Sequence, residues 1–339
     1  MEKWKLPKKS LCVLKKKNSG DSVMIKKRKV YIIVSLCLFV FVELILRYVF
    51  GFCDAVLYQP SPAYEYIAQP NQHRYRFFSH IDYNSYSQRS EEPDSTKTIV
   101  LGLGDSVIFG GTMLDQDSIA TTLFSKETGM QMLNISSGSW GPDNCAAYLK
   151  EKGTFGAKAM VLVCSSHDAF DVMSHIPVVG IYPNYPDEQY KLAIWEVIDR
   201  YLIPRIQGWL GHPQLIDPDA QVVEKVKNEE RRVKNSNALR DEGVAQKSLN
   251  FDPGFDLLLQ ISKEKNIPFF IYLHPEMGEV ESKEYKEGGK LIIDWANTHH
   301  VKLVDGLKEG VTTDMFRDVI HLNEKGQRNL ADSFKKIFK

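Results

Sequence analysis

Residues 98–111 read Thr-Ile-Val-Leu-Gly-Leu-Gly-Asp-Ser-Val-Ile-Phe-Gly-Gly. The apolar run Thr98–Leu103 predicts a buried strand, which Gly104 and the polar pair after it bring to an end. Similar runs follow at 130–135, 159–164, 267–273 and 301–304. Segments of helical character lie around them, at 117–129, 145–152, 255–265, 285–298 and 323–338. Strands that alternate with helices predict an α/β domain in which helices cover both faces of a parallel sheet.

The composition is that of a globular protein, but the charge is unevenly distributed. The 339 residues are 43% hydrophobic and 25% charged, and the formal net charge is zero. This balance excludes a disordered or collagen-like chain and gives no indication of a nucleic-acid partner. Residues 1–29 nevertheless carry eleven Lys or Arg side chains against Glu2 and Asp21.

A long apolar segment follows this basic tail. Residues 30–53 contain two charged side chains, Glu43 and Arg47, and are numerous enough to cross a bilayer core of about 30 Å as a helix. The two charges are four residues apart, so they can pair on one helix face. The positive-inside rule keeps residues 1–29 in the cytoplasm. We therefore expect a single transmembrane signal anchor, with the residues from about 54 onward on the extracytoplasmic side of the cytoplasmic membrane.

Two other interpretations of this segment are less favoured. A cleaved signal peptide would have a shorter apolar stretch and a small-x-small cleavage site soon after it. A lipoprotein site at Cys53 is disfavoured because the bulky Phe52 precedes it. Of the five cysteines, Cys145 and Cys164 belong to the exported part, which leaves room for at most one disulfide there.

The exported part divides into a linker and a domain. Residues 54–95 are rich in Tyr, Pro, Ser and Asn without a helical period, which predicts an irregular segment. We assign 96–339 to one domain with an insertion at about 177–250. Within the insertion, 190–209 has an aromatic helical pattern, and 222–240 is highly charged. That charged stretch is either a solvated helix face or a partner-binding surface, for instance for polysaccharide-assembly proteins.

Polar residues cluster directly after the predicted strands, where open parallel sheets bind their ligands. They are found at 104–106, 134–142, 165–168 and, before the last helix, 318–323. Acyl transfer through a serine needs a hydroxyl, an imidazole, a carboxylate that fixes the imidazole tautomer, and donors for the oxyanion. Asp318 and His321 are three residues apart, so one turn can pair them and direct the imidazole toward Ser106.

With these blocks, the sequence resembles the GDSL or SGNH hydrolase family. The Gly-Asp-Ser block at 104–106 and the Asp-x-x-His block at 318–321 match the family pattern in order and spacing, and the resemblance covers about 96–176 and 252–338. It implies a flavodoxin-like three-layer α/β/α sandwich, with Ser106 as nucleophile, His321 as base and Asp318 as its partner. It also implies that the backbone N–H of Ser106 and a glycine of the second block contribute to the oxyanion hole.

The sequence departs from the family at two positions. The usual second-block glycine slot holds Ser139, and the preceding residue is Gly138, to which we assign the oxyanion role. The third block reads Ser165-Ser166-His167-Asp168, so His167 occupies the slot of an asparagine donor. A histidine N–H can also donate to an oxyanion, whereas a lost donor costs about a hundredfold to a thousandfold in rate.

Several other residues are candidates for contacting a substrate. We assign Asp105, Ser139, Trp140 and Asp168 to the substrate-binding part of the site, where Trp140 either stacks on a sugar ring or packs in the core. His274-Pro275 either lines the pocket or forms a structural turn. The sequence has no zinc-type Cys/His spacing, no Walker loop and no Gly-x-Gly-x-x-Gly, so we expect no cofactor and no metal.

These features predict a membrane-anchored serine esterase. Exposure to the cell envelope suggests an acylated carbohydrate as substrate, with O-acetyl groups removed from a polysaccharide. One alternative is an O-acetyltransferase, which passes the same acyl-serine to a sugar hydroxyl. The other is a glycan-binding or assembly protein that keeps the fold without catalysis.

Overall fold

The computed structural model describes residues 18–209, 246–247 and 251–338. Its first element is the long helix α1, Asn18–Tyr48. Over Lys27–Tyr48, α1 is long and apolar enough to cross a membrane, a test that a signal sequence also passes. The helix ends five residues before the predicted limit at Cys53. Phe52 is buried in the folded domain, so the last predicted residues belong to the domain rather than to the helix.

The two charged side chains of the apolar segment hold the end of α1 against the insertion. Arg47 Nη2 lies 2.9 Å from Glu43 Oε1, as their spacing predicts, and donates to the carbonyl of Lys191 at 2.8 Å. The Glu43 carboxylate accepts the backbone N–H groups of Ala193 (2.8 Å) and Ile194 (2.9 Å). These two N–H groups open a helix and have no partner within it, so the carboxylate caps that helix from a distant part of the chain.

The segment 54–95 differs from the irregular linker that its composition predicts. It forms two antiparallel hairpins from four strands: β1 (Tyr58–Ser61), β2 (Glu65–Ala68), β3 (Gln72–Arg76) and β4 (Ser79–Tyr83). Pro62, Pro70, Asn71 and Asn84 lie just outside the ends of these short strands, whereas Tyr66, Ile81 and Tyr83 are buried. Burial of these side chains packs the segment onto the domain, so it is no spacer.

The described residues contain seven more strands. They are β5 (Ile99–Gly104), β6 (Gln131–Ser136), β7 (Ala159–Cys164), β8 (Asp171–Val172), β9 (Gln246–Lys247), β10 (Phe269–Leu273) and β11 (Lys302–Asp305). Five of them form the central sheet in the order β6-β5-β7-β10-β11, all parallel. This is the flavodoxin-like order, in which ligands bind where the chain switches direction, here between β5 and β7.

Helices cover both faces of this sheet, so the predicted three-layer α/β/α sandwich is confirmed. Their bounds are α2 (Ser106–Phe109), α3 (Ala120–Thr128), α4 (Pro142–Lys152), α5 (Ala193–Val197), α6 (Ile203–Trp209), α7 (Gly254–Lys265), α8 (Met277–Ser282), α9 (Glu287–Thr298) and α10 (Glu324–Ile337). Side chains alternate between the faces. Leu162 belongs to the core under α4, α7 and α9, whereas Val161 and Val163 belong to the core under α3 and α10.

The insertion is described only in part. A π-helical stretch at Ile198–Leu202 joins α5 to α6, where the sequence predicts one helical segment at 190–209. The charged stretch 222–240 lies outside the described residues. Cys145 and Cys164 are both buried with free thiols, so the single disulfide that the sequence allows is not formed.

Candidate active site

Ser106 lies at the switch point, in the turn between β5 and α2. Gly104 has a φ of +153°, and a Cβ there would lie 2.5 Å from the carbonyl oxygen of Val163 on the neighbouring strand, so this close approach requires glycine. Asp105 then caps α2 by accepting the N–H of Val107 at 2.9 Å. Within residues 99–110, Ser106 is the one residue that is not buried. The turn therefore presents its hydroxyl to solvent from a rigid sheet edge.

Asp318 and His321 come from the loop before α10. Asp318 Oδ1 accepts the backbone N–H groups of Ile320 (3.0 Å) and His321 (2.8 Å). The other carboxylate oxygen, Oδ2, lies 2.8 Å from His321 Nδ1, and His321 Nε2 lies 2.9 Å from Ser106 Oγ. The two backbone bonds fix the carboxylate, and the carboxylate fixes the imidazole. The structure thus brings together the three side chains that the sequence predicts to form one site, although Ser106 and His321 are 215 positions apart in the chain.

The electrostatics of the carboxylate favour its ionised form. Partial burial opposes ionisation, but the hydrogen bond and positive charge of His321 and the two backbone N–H groups lower the pKa of Asp318 to about 2. A carboxylate that stays ionised can hold Nδ1 protonated, which leaves the Nε2 lone pair free to take the proton of Ser106.

His274 contacts the loop that carries Asp318 and His321. Its ring is fully buried, stacks at a tilt on Phe316, and its Nε2 lies 2.8 Å from the carbonyl oxygen of Ile320. Burial lowers the pKa of His274 to about 4, so the ring is neutral at physiological pH and Nε2–H donates to the carbonyl. The sequence left open whether His274-Pro275 lines the pocket or forms a structural turn. The structure shows a structural role, in which His274 also positions the loop that carries the triad residues.

His167, which occupies the family's asparagine slot, lies among carboxylates. Its Nε2 is 3.7 Å from Asp105 Oδ2 and 3.5 Å from Asp168 Oδ1, and its Nδ1 is 3.5 Å from Glu276 Oε1. Burial alone would lower the pKa of His167, but these carboxylates raise it well above the usual 6.5. The side chain is therefore an imidazolium that compensates buried negative charge.

Asp105, His167 and Asp168 also form a candidate cation site. Ligand atoms of Asp105, His167 and Asp168 lie within 4.8 Å of one another. A metal would need the lone pair of the histidine nitrogen that faces the two aspartates. Since the raised pKa favours a proton on this nitrogen, a metal ion would have to displace that proton to bind.

Gly138 lies in the turn after β6. The phenol groups of Tyr66 (2.8 Å) and Tyr185 (3.4 Å) donate to its carbonyl, and the next residue, Ser139, has a φ of +57°. The cavity that contains Ser106, Asp318 and His321 is lined by neither Gly138 nor His167. Their oxyanion roles, like the backbone N–H role of Ser106, therefore stay predictions.

The four predicted substrate-binding residues are mostly buried. Asp105 caps α2, and Asp168 accepts the N–H of Ser165 at 2.6 Å. Trp140 is 1% exposed, packs on Tyr64, and donates from Nε1 to the carbonyl of Tyr66 at 3.0 Å. The sequence leaves open whether Trp140 stacks on a sugar ring or packs in the core. The structure shows core packing, because the hairpin segment covers the ring. Ser139 is partly exposed in its turn.

The cavity beside Ser106 has walls that the sequence did not indicate. It has a volume of about 370 Å³ and is lined partly by the hairpin segment and partly by the insertion. Three arginines line it: Arg76 from β3, Arg200 from the π-helical stretch and Arg317 next to the triad carboxylate. Arg317 could have been found from its place beside Asp318. Arg76 and Arg200 could not, because they come from segments with no motif.

Comparisons with known proteins find similarity in fold only. No protein-family model matches the sequence, and no match is found among curated proteins. Solved structures that resemble the chain include an acetyl xylan esterase (14% identity, 71% of this chain, 100% of that one, TM-score 0.38). A lipolytic protein of the G-D-S-L family from Veillonella parvula is 11% identical over 71% of this chain and 98% of that one, with a TM-score of 0.36. A carbohydrate acetylesterase family member from Sinorhizobium meliloti is 12% identical over 71% and 97%, with a TM-score of 0.33. These values assign no activity, so the chemistry must be inferred from the residues of the site.

Proposed function

We propose that this chain is a serine esterase that acts through Ser106, His321 and Asp318. The observation that carries the proposal is the pair of contacts on one imidazole, Nε2 to Ser106 Oγ at 2.9 Å and Nδ1 to Asp318 Oδ2 at 2.8 Å. Both fall within the range expected for a nucleophile, its base and the group that orients the base.

The reaction has two halves. Ser106 Oγ attacks the ester carbonyl while its proton passes to His321 Nε2, and the tetrahedral intermediate then collapses as Nε2 protonates the leaving alcohol. Water next attacks the acyl-serine, giving its proton to Nε2, and the proton returns to Ser106 as the acid leaves. The ionised Asp318 stabilises the imidazolium in both halves. Backbone N–H groups at Ser106 and Gly138 are the proposed oxyanion donors.

The proposed substrate is an O-acetylated polysaccharide of the cell envelope. Support comes from the predicted export of the domain and from the position of Ser106 in the wall of a cavity. The acyl-serine can equally pass to a sugar hydroxyl, so an O-acetyltransferase is the alternative outcome of the test below.

The proposed location is the outer surface of the cytoplasmic membrane, with α1 retained as the anchor. The contacts of Glu43 with the start of α5 support retention, because cleavage before the domain would remove the cap of that helix. The neighbouring helices expose Trp195 and Trp209, at 51% and 87%, and tryptophan favours the membrane interface.

The test uses the full chain in lipid nanodiscs with 4-nitrophenyl acetate and an acetylated oligosaccharide. We expect hydrolysis that Ser106→Ala abolishes, and covalent labelling of Ser106 by a fluorophosphonate. Transfer of acetyl to an added glycan without release of acetate would establish the transferase. Absence of both labelling and turnover, with the variant folded like the wild type, would leave a binding protein and refute the proposal.

A further inference from the structure

A short segment after β10, residues 274–277, holds the loop of the proposed base at two points. His274 Nε2 donates to the carbonyl oxygen of Ile320 at 2.8 Å, and the backbone N–H of Met277 donates to the carbonyl oxygen of Val319 at 2.8 Å. Both acceptors lie between the two triad residues of this loop. The segment therefore supports the imidazole that accepts the proton of the nucleophile.

Glu276, in the middle of the same segment, contacts the other side of the site. Its side chain is buried, and Oε1 lies 3.5 Å from His167 Nδ1. The second ring nitrogen, Nε2, lies 3.7 Å from Asp105 Oδ2. The other oxygen of Asp105 accepts the N–H of Val107 at 2.9 Å and so fixes the helix that begins with Ser106. A path of three side chains thus leads from this segment to the nucleophile turn.

Charge holds this path together. Distances of 3.5 to 3.7 Å are longer than hydrogen bonds but bring opposite charges close to each other. Burial opposes the ionisation of Glu276, but the contact and positive charge of His167 and the charge of Lys286 lower the pKa of Glu276 to about 2. Lys286 Nζ lies 2.8 Å from the second carboxylate oxygen. Glu276 is therefore an anion in a fixed position that attracts the imidazolium.

The chain neighbours of the two charged side chains are joined as well. Glu279, on α8, accepts the hydroxyl of Ser166 at 2.5 Å and the backbone N–H of Glu276 at 2.8 Å. Ser166 directly precedes His167, so one buried side chain holds the backbone at both ends of the ion pair. Because these bonds do not use the carboxylate of Glu276, its charge can be removed while they stay in place.

We propose that Glu276 is a positioning residue for the nucleophile, which it holds through His167 and Asp105. The segment 274–277 thus sets the distance between the nucleophile and its base, because it holds the turn of one and the loop of the other. This inference rests on the proposed esterase function. Glu276 does not line the cavity that contains Ser106, so it acts only through other residues. Both ring nitrogens of His167 face carboxylates, so the ring holds the turn and is not an oxyanion donor.

The experiment measures the rate per active site. Glu276→Gln keeps the shape of the side chain and removes its charge, whereas Glu276→Asp keeps the charge on a shorter chain. Glu281→Gln is the control, because Glu281 is exposed on α8, the helix that begins directly after Glu276. For each full chain in nanodiscs, fluorophosphonate labelling counts the active sites, and kcat and KM are measured with 4-nitrophenyl acetate. A purely structural role lowers the number of labelled sites, whereas a positioning role lowers the rate at each site.

We expect kcat per labelled site to fall about tenfold in Glu276→Gln, with KM changed less than about twofold, because displacement of a reacting group slows the chemical step more than it weakens binding. The rate should recover partly in Glu276→Asp and stay unchanged in Glu281→Gln. In a His167→Gln background, Glu276→Gln should have little further effect, since the path is already interrupted.

An equal kcat per labelled site in Glu276→Gln and Glu281→Gln would overturn this inference and leave the esterase intact. An undiminished effect of Glu276→Gln in the His167→Gln background would also overturn it, because Glu276 would then act by another route. If Glu276→Gln yields no folded protein, Glu276→Asp is judged by the same comparison. Absence of both labelling and turnover in the wild type would instead refute the esterase proposal, and with it this inference.

Discussion

His274 Nε2 lies 2.8 Å from the carbonyl oxygen of Ile320, the residue directly before the proposed base. This contact links the end of β10 to the loop that carries Asp318 and His321. Because the ring is fully buried and contacts the loop rather than Ser106, His274 is a positioning residue for the triad rather than a catalytic one.

Replacement of His274 should change both activity and the response to acid. We expect His274→Leu to leave the Ile320 carbonyl without its donor, at a cost on the order of 1 to 3 kcal/mol, and to lower kcat more than it raises KM. The pKa of His274 is about 4 in the folded protein and about 6.5 when unfolded, so its stabilising contribution is present above pH 6.5 and is lost between pH 6.5 and 4.

Thermal unfolding of the wild type and His274→Leu across this range provides the measurement. The difference in Tm between them should shrink as the pH falls from 7 to 4. A constant difference would show that the ring does not titrate as the burial requires.

Asp318→Asn should leave the fold intact and remove most of the activity. An amide cannot hold the imidazole in the tautomer that accepts the proton of Ser106, and the matching change in a serine protease lowers kcat by about 10⁴-fold. The control is Asp314→Asn, an exposed carboxylate that pairs with Lys325. Activity of Asp318→Asn close to that of the control would contradict the triad.

Protonation of Asp318 should not cause a loss of activity at mildly acidic pH. Since the pKa of Asp318 is about 2, its stabilising interaction is present above its unfolded value of 3.8 and is lost only as the pH falls through about 2. Above pH 4 the carboxylate stays ionised, so we expect protonation of Asp318 to contribute no change in the rate of acyl-serine formation between pH 4 and 8. Urea unfolding of the wild type and Asp318→Asn from pH 7 to 2 should show a difference in stability that stays constant down to about pH 4 and shrinks below it; a difference that already shrinks between pH 7 and 5 would contradict the lowered pKa.

His167→Gln should cost stability at neutral pH and much less in alkali. The raised pKa of His167 means that its contribution is fully present below about pH 6.5 and declines as the pH rises through the folded value. A glutamine keeps a donor but removes the buried positive charge among Asp105, Asp168 and Glu276. Urea unfolding of both proteins between pH 6 and 10 should show the gap narrowing, whereas a widening gap would mean that the ring is neutral.

Glu43→Gln should loosen the junction between α1 and α5. A neutral amide retains one acceptor for the N–H groups of Ala193 and Ile194 but loses the charge that favours the start of a helix and the pairing with Arg47. Hydrogen exchange at residues 191–197 should become faster, while Glu188→Gln, at an exposed position, should leave it unchanged. Equal exchange in all three proteins would refute the capping role.

The layout of the domain and the triad could be predicted because each has a local signal. The strand pattern depends on short apolar runs, and Gly104, Asp105 and Ser106 form a turn whose conformation is set by neighbouring residues. The bounds shift by one or two residues, as at β5, because capping by Asp105 rather than hydrophobicity determines where the strand stops.

Features that depend on distant contacts could not be predicted. Hairpin formation at 58–83 depends on burial of Tyr66 and Tyr83 against the domain, which no local period reveals. Pairing of Arg76 with Glu196 joins positions 120 residues apart. The environment of His167 likewise depends on Glu276, which lies 109 residues later in the chain.

The hydrogen bonds of Glu43 with the start of α5 place the end of the proposed anchor helix close to the proposed catalytic cleft. Arg200, seven residues after the capped Ala193, lies in the cleft wall, so hydrogen-bonded residues connect the helix that would enter the lipid with the surface that would hold the substrate. A domain joined to its proposed anchor in this way lacks a flexible linker that would let it move far from the membrane. With the proposed anchor in a bilayer, the cleft would meet only substrate that lies close to the membrane surface.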